Sequence, residues 1–155
     1  MSEYRRKNQK AQQALDMSYG HLQPQAVEVE KAVLGALMID KDAYVEVCEL
    51  LRPDSFYEPR NQMVYEAIQQ LNMDEKPVDM LTVTEQLTKN GVLEEVGGPG
   101  YIAELSLKVA TSASLEYHAN IVAQKALSRQ LINYTGIIGK KAYDETMDAH
   151  EVIQD

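Results

Sequence analysis

The sequence contains very little cysteine and few aromatic residues other than tyrosine. Its 155 residues include one cysteine, Cys48, one phenylalanine, Phe56, and no tryptophan. A single thiol excludes an intramolecular disulfide and is typical of a protein kept in a reducing cytoplasm. Because reactive cysteines need an exposed, electropositive setting, the apolar context YVEVCELL predicts that Cys48 is a buried structural thiol.

Long apolar runs are also missing. No run in the sequence approaches the roughly 18 residues that a membrane-spanning helix needs. The N-terminus carries charge at Glu3, Arg5, Arg6 and Lys7 with no apolar run behind it, so we expect no secretory signal. Apolar residues make up 45% of the chain and charged residues 25%, which is typical of a globular domain and not of a disordered one. These features predict a cytoplasmic protein without membrane association.

Positive charge is scarce and unevenly distributed. The formal net charge is −9, yet residues 1–23 carry four basic residues against two acidic ones, a net +2, which leaves −11 for residues 24–155. An acidic body repels a phosphate backbone, and this disfavours a DNA- or RNA-binding module such as a helix-turn-helix. We therefore expect protein partners for the body, and we interpret residues 1–23 as a mobile basic tail.

The glycine-rich stretch EEVGGPGY, residues 94–101, raises the question of a nucleotide site. A P-loop needs G-x-x-x-x-G-K-[ST], and no lysine follows these glycines before Lys108. The three histidines have no second histidine or cysteine at ligand spacing. We therefore predict no catalytic, cofactor-binding or metal-binding residues. Gly97 and Gly98 are expected to end one helix, and Pro99 to lie in the first turn of the next.

Apolar residues recur at helical spacing through most of residues 24–110. The pattern predicts one helix from Ala26 to Ile39, a shorter one after Asp42, and a third from about Arg60, with Phe56 packed into the core from a loop. Thr82, with Glu85 three residues later, predicts a capping box, and Gly91 is expected to end that helix in the left-handed conformation. These segments together predict an all-α fold, with a compact globular head of about six helices.

The longest predicted helix runs from Leu115 to Tyr143, with Ser114 as its N-cap. Its 29 residues contain no proline and would extend about 43 Å, longer than the globule needs. Leu127, Leu131, Tyr134 and Ile138 form an i, i+4, i+7, i+11 stripe along it. A projecting helix with this much apolar surface is expected to bury it against a partner.

Small residues recur every three positions near the end of this helix, at Gly136, Gly139 and Ala142. Each glycine costs about 1 kcal/mol of helix stability relative to alanine. Two explanations remain open: close approach of a partner helix, or a helix that frays or kinks there. Asp148 with Glu151 repeats the capping-box pattern and predicts a final helix, which residue 155 cuts short as in a domain excised from a longer protein.

Six sequence blocks, in order, resemble the N-terminal domain of the DnaB-type replicative DNA helicase. They are VEVEKAVLG at residues 27–35, FY at 56–57 followed by MVYEAI at 63–68, PVD at 77–79 with LTV at 81–83, VGG at 96–98, YIAEL at 101–105, and ANIV at 119–122 followed by Arg129, Leu131 and Ile132. The chain departs from the family pattern at four positions. Asn61 replaces a usual histidine, Ala110 a proline, Ser114 an asparagine and His118 a tyrosine.

The resemblance implies a helical head at residues 24–110, followed by the start of an antiparallel helical hairpin at residues 111–155 whose second arm is truncated. In this family the hairpins pair between subunits, the pairs form a collar on a hexamer, and the domain docks primase. A helicase loader is a further candidate partner. Because they are apolar or aromatic residues on the projecting helix, we predict that the subunit or primase interface comprises Leu131, Tyr134, Ile137, Ile138 and Tyr143. ATP, magnesium and DNA contacts are expected only for a motor domain beyond residue 155.

The alternative interpretation is a free-standing acidic helical adaptor, unrelated to replication, that binds another protein through the same long helix. The parent reading frame distinguishes the two. A P-loop motor downstream would support the helicase domain, and a stop codon would support the adaptor.

Overall fold

The computed structural model describes residues 22–108 and 113–154, and every regular element within them is helical. The predicted all-α class is therefore confirmed. The elements are α1 (Val27–Ile39), α2 (Ala43–Val47), a 3-10 helix (Pro53–Ser55), α3 (Pro59–Met73), α4 (Met80–Lys89), α5 (Leu93–Val96), α6 (Gly98–Leu107), α7 (Leu115–Tyr143) and α8 (Ala149–Gln154).

The described residues fall into two compact units. The first, which we call the globule, is Gln25–Leu127, and the second joins residues 128–154 to residues 22–24. The division predicted from the sequence, with a tail at 1–23, a head at 24–110 and a hairpin from 111, stays a prediction. Residues 1–21, 109–112 and 155 lie outside the described residues.

The core of the globule is built from the apolar faces of α1, α3 and α6. Helix α1 packs against α6 and α3, and α3 packs against α4. Leu34 and Ile68 are completely buried, as is Phe56, whose ring centroid lies 5.0 Å from that of Tyr65. The predicted burial of Phe56 is thus confirmed. Leu115, at the start of α7, also belongs to this core.

The start of α4 corrects the predicted cap. Asp79, and not Thr82, is the N-cap: its carboxylate accepts hydrogen bonds from the backbone N–H of Leu81 at 2.8 Å and of Thr82 at 2.9 Å. The Thr82 hydroxyl accepts in return from the Asp79 N–H at 2.9 Å. Asp79 has the extended backbone that a cap requires, so the helix begins one turn earlier than predicted and includes Met80 and Leu81.

The glycines of EEVGGPGY end one helix and begin another, as predicted. Gly97 and Gly98 have φ of 115° and 72°, in the left-handed region that side chains disfavour. Gly97 closes α5, and Pro99 lies in the first turn of α6. Gly91 likewise follows α4 with φ of 71°, which confirms its predicted role. The stretch turns the chain between two helices that both contribute to the core.

Of three further expectations, two agree with the structure and the predicted burial of Cys48 is wrong. Helix α7 has the predicted limits, Leu115–Tyr143, and it continues through both glycines. Asp148 precedes α8 and accepts from the backbone N–H of His150 at 2.8 Å, as a cap does. Cys48, by contrast, is only half-buried, because the chain leaves α2 after Val47 in a turn and does not continue the helix.

Candidate interaction surface

The candidate surface lies on the part of α7 that belongs to the second unit. Leu131 is 56% exposed, Tyr134 is 50% exposed, and Ile138 is half-buried. Their spacing of three and then four residues places them on one side of the helix, because an α-helix turns once in about 3.6 residues. We call Leu131, Tyr134 and Ile138 the α7 stripe.

The other two predicted interface residues lie away from the centre of this stripe. Ile137 is 46% exposed, and its position borders the stripe on the side of Tyr134. Tyr143 is 91% exposed. Tyr143 follows Ile138 by five residues, so its position is rotated around the helix axis by more than a quarter of a turn from the stripe. The structure thus brings together three of the five predicted residues, with a fourth at their edge.

The side of α7 away from the stripe is engaged within the second unit. Arg129 is 6% exposed and donates from Nη1 to the carbonyl of Pro24 at 2.9 Å. Gly136, seven residues later and therefore close to the same face, is buried. Arg129 is part of the sequence blocks that resemble the family, but the sequence did not predict its contact. Its partner, Pro24, lies 105 positions earlier in the chain.

The glycines near the end of α7 bear on the two explanations for small residues there. The helix passes through Gly136 and Gly139 and ends at Tyr143, so it does not terminate at either glycine. A Cβ added at Gly139 would meet nothing within 4 Å. Among the described residues, nothing therefore requires a glycine at position 139, and close approach by a second molecule and a kink in the helix both remain to be tested.

Charge on α7 differs from charge on the body as a whole. No acidic residue occurs between Glu116 and Asp144, whereas the helix carries Lys125, Arg129, Lys140 and Lys141. The two lysines in the last turn interact favourably with the negative end of the helix dipole. Beyond the helix, a hydrogen bond from the Thr146 hydroxyl lowers the pKa of Asp144, and a second from the Thr146 backbone N–H lowers it further. The stripe therefore lies on the least acidic helix surface in an acidic protein.

A second group of exposed apolar residues flanks the connection between α3 and α4. Met73 is 71% exposed, Met80 is 47% exposed, and Leu81 is 75% exposed. Sequence patterning missed this group, because the misplaced cap at Thr82 left Met80 and Leu81 in a loop. The signal that would have identified them is Asp79, an aspartate that follows a proline–valine pair and precedes the apolar run.

A buried polar cluster joins α1, α3 and α6 inside the globule. The Glu30 carboxylate is 1% exposed and accepts from the backbone N–H groups of Tyr57 at 2.6 Å and Glu58 at 3.3 Å, and from Asn61 Nδ2 at 2.9 Å. The Tyr101 hydroxyl donates to the Asn61 side-chain oxygen. Backbone N–H groups at a helix N-terminus favour an anion, so Glu30 anchors the start of α3.

Contacts within the cluster hold the Tyr101 side chain in place. Burial raises the pKa of Tyr101 to about 12, although the nearby Arg60 guanidinium opposes the shift. That guanidinium lies 4.1 Å from the centroid of the Tyr101 ring, and its Nε is 3.3 Å from a Glu58 carboxylate oxygen. The phenol is thus kept neutral and in place. Asn61, the departure from the usual histidine, donates to Glu30 and accepts from Tyr101, so an amide completes the cluster.

The described residues also bear on metal binding and on membrane insertion. The described ranges, residues 22–108 and 113–154, contain no group of three or more histidine, cysteine, aspartate or glutamate side chains placed to hold a metal ion. Among the helices in those same ranges, none is both long and apolar enough to cross a membrane.

Comparison with known proteins identifies the family of this chain. The family model of the DnaB-like helicase N-terminal domain matches residues 22–124, more than half of the chain. The replicative DNA helicase DnaB of Rhodothermus marinus is 43% identical over 142 residues, which cover 92% of this chain. The chain spans only about 15% of the length of that relative.

Solved structures show the same fold. The N-terminal domain of the DnaB helicase from Mycobacterium tuberculosis matches with a TM-score of 0.81 at 38% identity, covering 86% of this chain and 94% of that one. A DnaB-like replicative helicase, whose structure was described together with its interactions with primase, matches with a TM-score of 0.64 at 26% identity, covering 72% of this chain and 26% of that one. The chain belongs to the family of DnaB-like helicase N-terminal domains.

Proposed function

We propose that this domain serves a replicative helicase as a non-catalytic assembly module. Two copies pair through the α7 stripe, the pairs build the collar of a hexamer, and the domain docks primase. The observation that carries the proposal is the exposure of Leu131 and Tyr134 on a helix surface without acidic residues. Exposed apolar side chains aligned along one helix face are typical of a surface that binds another protein.

Pairing through the stripe is consistent with the chemistry of its residues. Two-fold dimers use the same patch on both copies, so the patch must complement itself. Leu131, Tyr134 and Ile138 meet that requirement because they are apolar or amphipathic and carry no charge. Tyrosine is also enriched at the centre of protein interfaces, since its ring buries area while its hydroxyl keeps a hydrogen bond.

The test is Ile138→Asp, with mass measured by light scattering across a range of protein concentrations. A carboxylate buried between two copies without a partner is strongly disfavoured, so we expect association to weaken by at least tenfold. The matched control is Asn133→Asp, which adds the same charge at an exposed position on another side of α7. Circular dichroism establishes that both variants fold.

Two outcomes would contradict pairing through the stripe. One is an association state of Ile138→Asp that equals that of the unchanged chain. The other is an equal loss of association in Asn133→Asp, because added negative charge alone would then account for the effect. Leu131→Ala provides a milder second variant that is less prone to aggregation.

Primase docking is supported by the structural neighbour that was described together with its interactions with primase. We expect the chain to bind primase in a titration followed by calorimetry. If docking needs the paired α7 helices, Ile138→Asp weakens primase binding together with self-association. If it uses the globule alone, the variant binds primase with unchanged affinity. A chain that fails to bind primase even when paired would refute docking.

The cofactors follow from the same proposal. We assign ATP binding, magnesium binding and DNA contacts to the motor domain of the helicase and not to this domain. The resulting expectation is that this chain neither hydrolyses ATP nor changes its thermal stability when ATP and magnesium are added. A phosphate-release assay and a thermal shift measurement check these two points.

A further inference from the structure

We draw no further inference here: the strongest candidate, the shallow groove that Leu71, Lys76, Glu85 and Lys89 line between the end of α3 and one side of α4, next to the exposed Leu81, carries nothing because nothing in the structure shows what covers it.

Discussion

The globule and the second part of α7 use apolar residues in opposite ways. In the globule, leucine and isoleucine side chains such as Leu34 and Ile68 are completely buried, and the buried Glu30 has hydrogen-bond donors from the same unit. On α7, Leu131 and Tyr134 remain about half exposed. The core of the globule therefore buries its apolar side chains, and gives Glu30 its hydrogen-bond donors, within one unit. The exposed half of the α7 stripe would be removed from water only if another molecule covered it.

The sharpest test of this difference makes the same substitution in both regions. Leu34→Ala should lower the free energy of unfolding by about 3–5 kcal/mol, because it leaves a cavity in a close-packed core. Leu131→Ala should change the unfolding of the dissociated chain by less than about 0.5 kcal/mol, since its side chain is largely in water. Urea denaturation at low protein concentration measures both. Equal effects would show that α7 is packed as tightly as the core.

The second test removes the anchor of α3. Glu30→Ala leaves the N–H groups of Tyr57 and Glu58 and the Asn61 amide without their acceptor, which should cost about 3 kcal/mol or more. The exposed Glu28, which pairs with Lys108 at 2.7 Å, offers a matched control on the same helix. Glu28→Ala should cost much less, because solvent screens an exposed ion pair. A loss for Glu30→Ala no larger than for Glu28→Ala would refute the anchoring role.

The third test compares two helix ends inside the globule. Glu75 follows α3 with φ of 55°, the one non-glycine residue with positive φ in the described ranges, whereas Gly91 follows α4 with φ of 71°. Glu75→Gly should raise stability by about 0.5–1 kcal/mol, because glycine adopts this conformation without the Cβ penalty. Gly91→Ala should lower it by about 1 kcal/mol for the same reason. Thermal unfolding measures both, and shifts of the same sign would contradict the explanation.

The smallest expected effect concerns pH. Hydrogen bonds from Lys108 and then Lys31 lower the pKa of Glu28 from its usual 4.5. A carboxylate with a lowered folded-state pKa contributes stability above its unfolded pKa, and the contribution is lost as pH falls through the folded value. The stability difference between the unchanged chain and Glu28→Gln should therefore be present at pH 7 and be lost progressively as the pH falls below 4.5 through the lowered folded-state pKa. A difference that does not change between pH 7 and pH 3 would exclude this titration.

Much of the fold was predictable because its signals are local. The limits of α7 follow from a proline-free run between Ser114 and Asp144, and the left-handed Gly91 and Gly97 follow from the rarity of that conformation in other residues. The cap of α4 was missed because Thr82 has a glutamate three residues later and Asp79 does not, although both residue types cap helices. Only the observed backbone, extended at Asp79, distinguishes them.

The candidate site was predictable only in part. Periodicity along the sequence predicted Leu131, Tyr134 and Ile138 as one face, and Ile137 and Tyr143 were added to the predicted interface because they lie on the same projecting helix. Helix geometry places Ile137 at the edge of the stripe. It places Tyr143 further away, since five residues after Ile138 is not a whole number of turns. The exposed group at Met73, Met80 and Leu81 depended on where α4 begins, and the sequence placed that start one turn too late.

The sequence by itself determined the all-α class, the limits of the long helix and the absence of a P-loop, because periodicity, capping and motif spacing are properties of neighbouring residues. The tertiary structure alone decided that Glu30 anchors α3, that Arg129 donates to Pro24, and which apolar side chains remain in water. The first of these hydrogen bonds joins residues that are 27 positions apart along the chain, and the second joins residues that are 105 positions apart. Distances of that kind are set by packing, and no local pattern in the sequence encodes them.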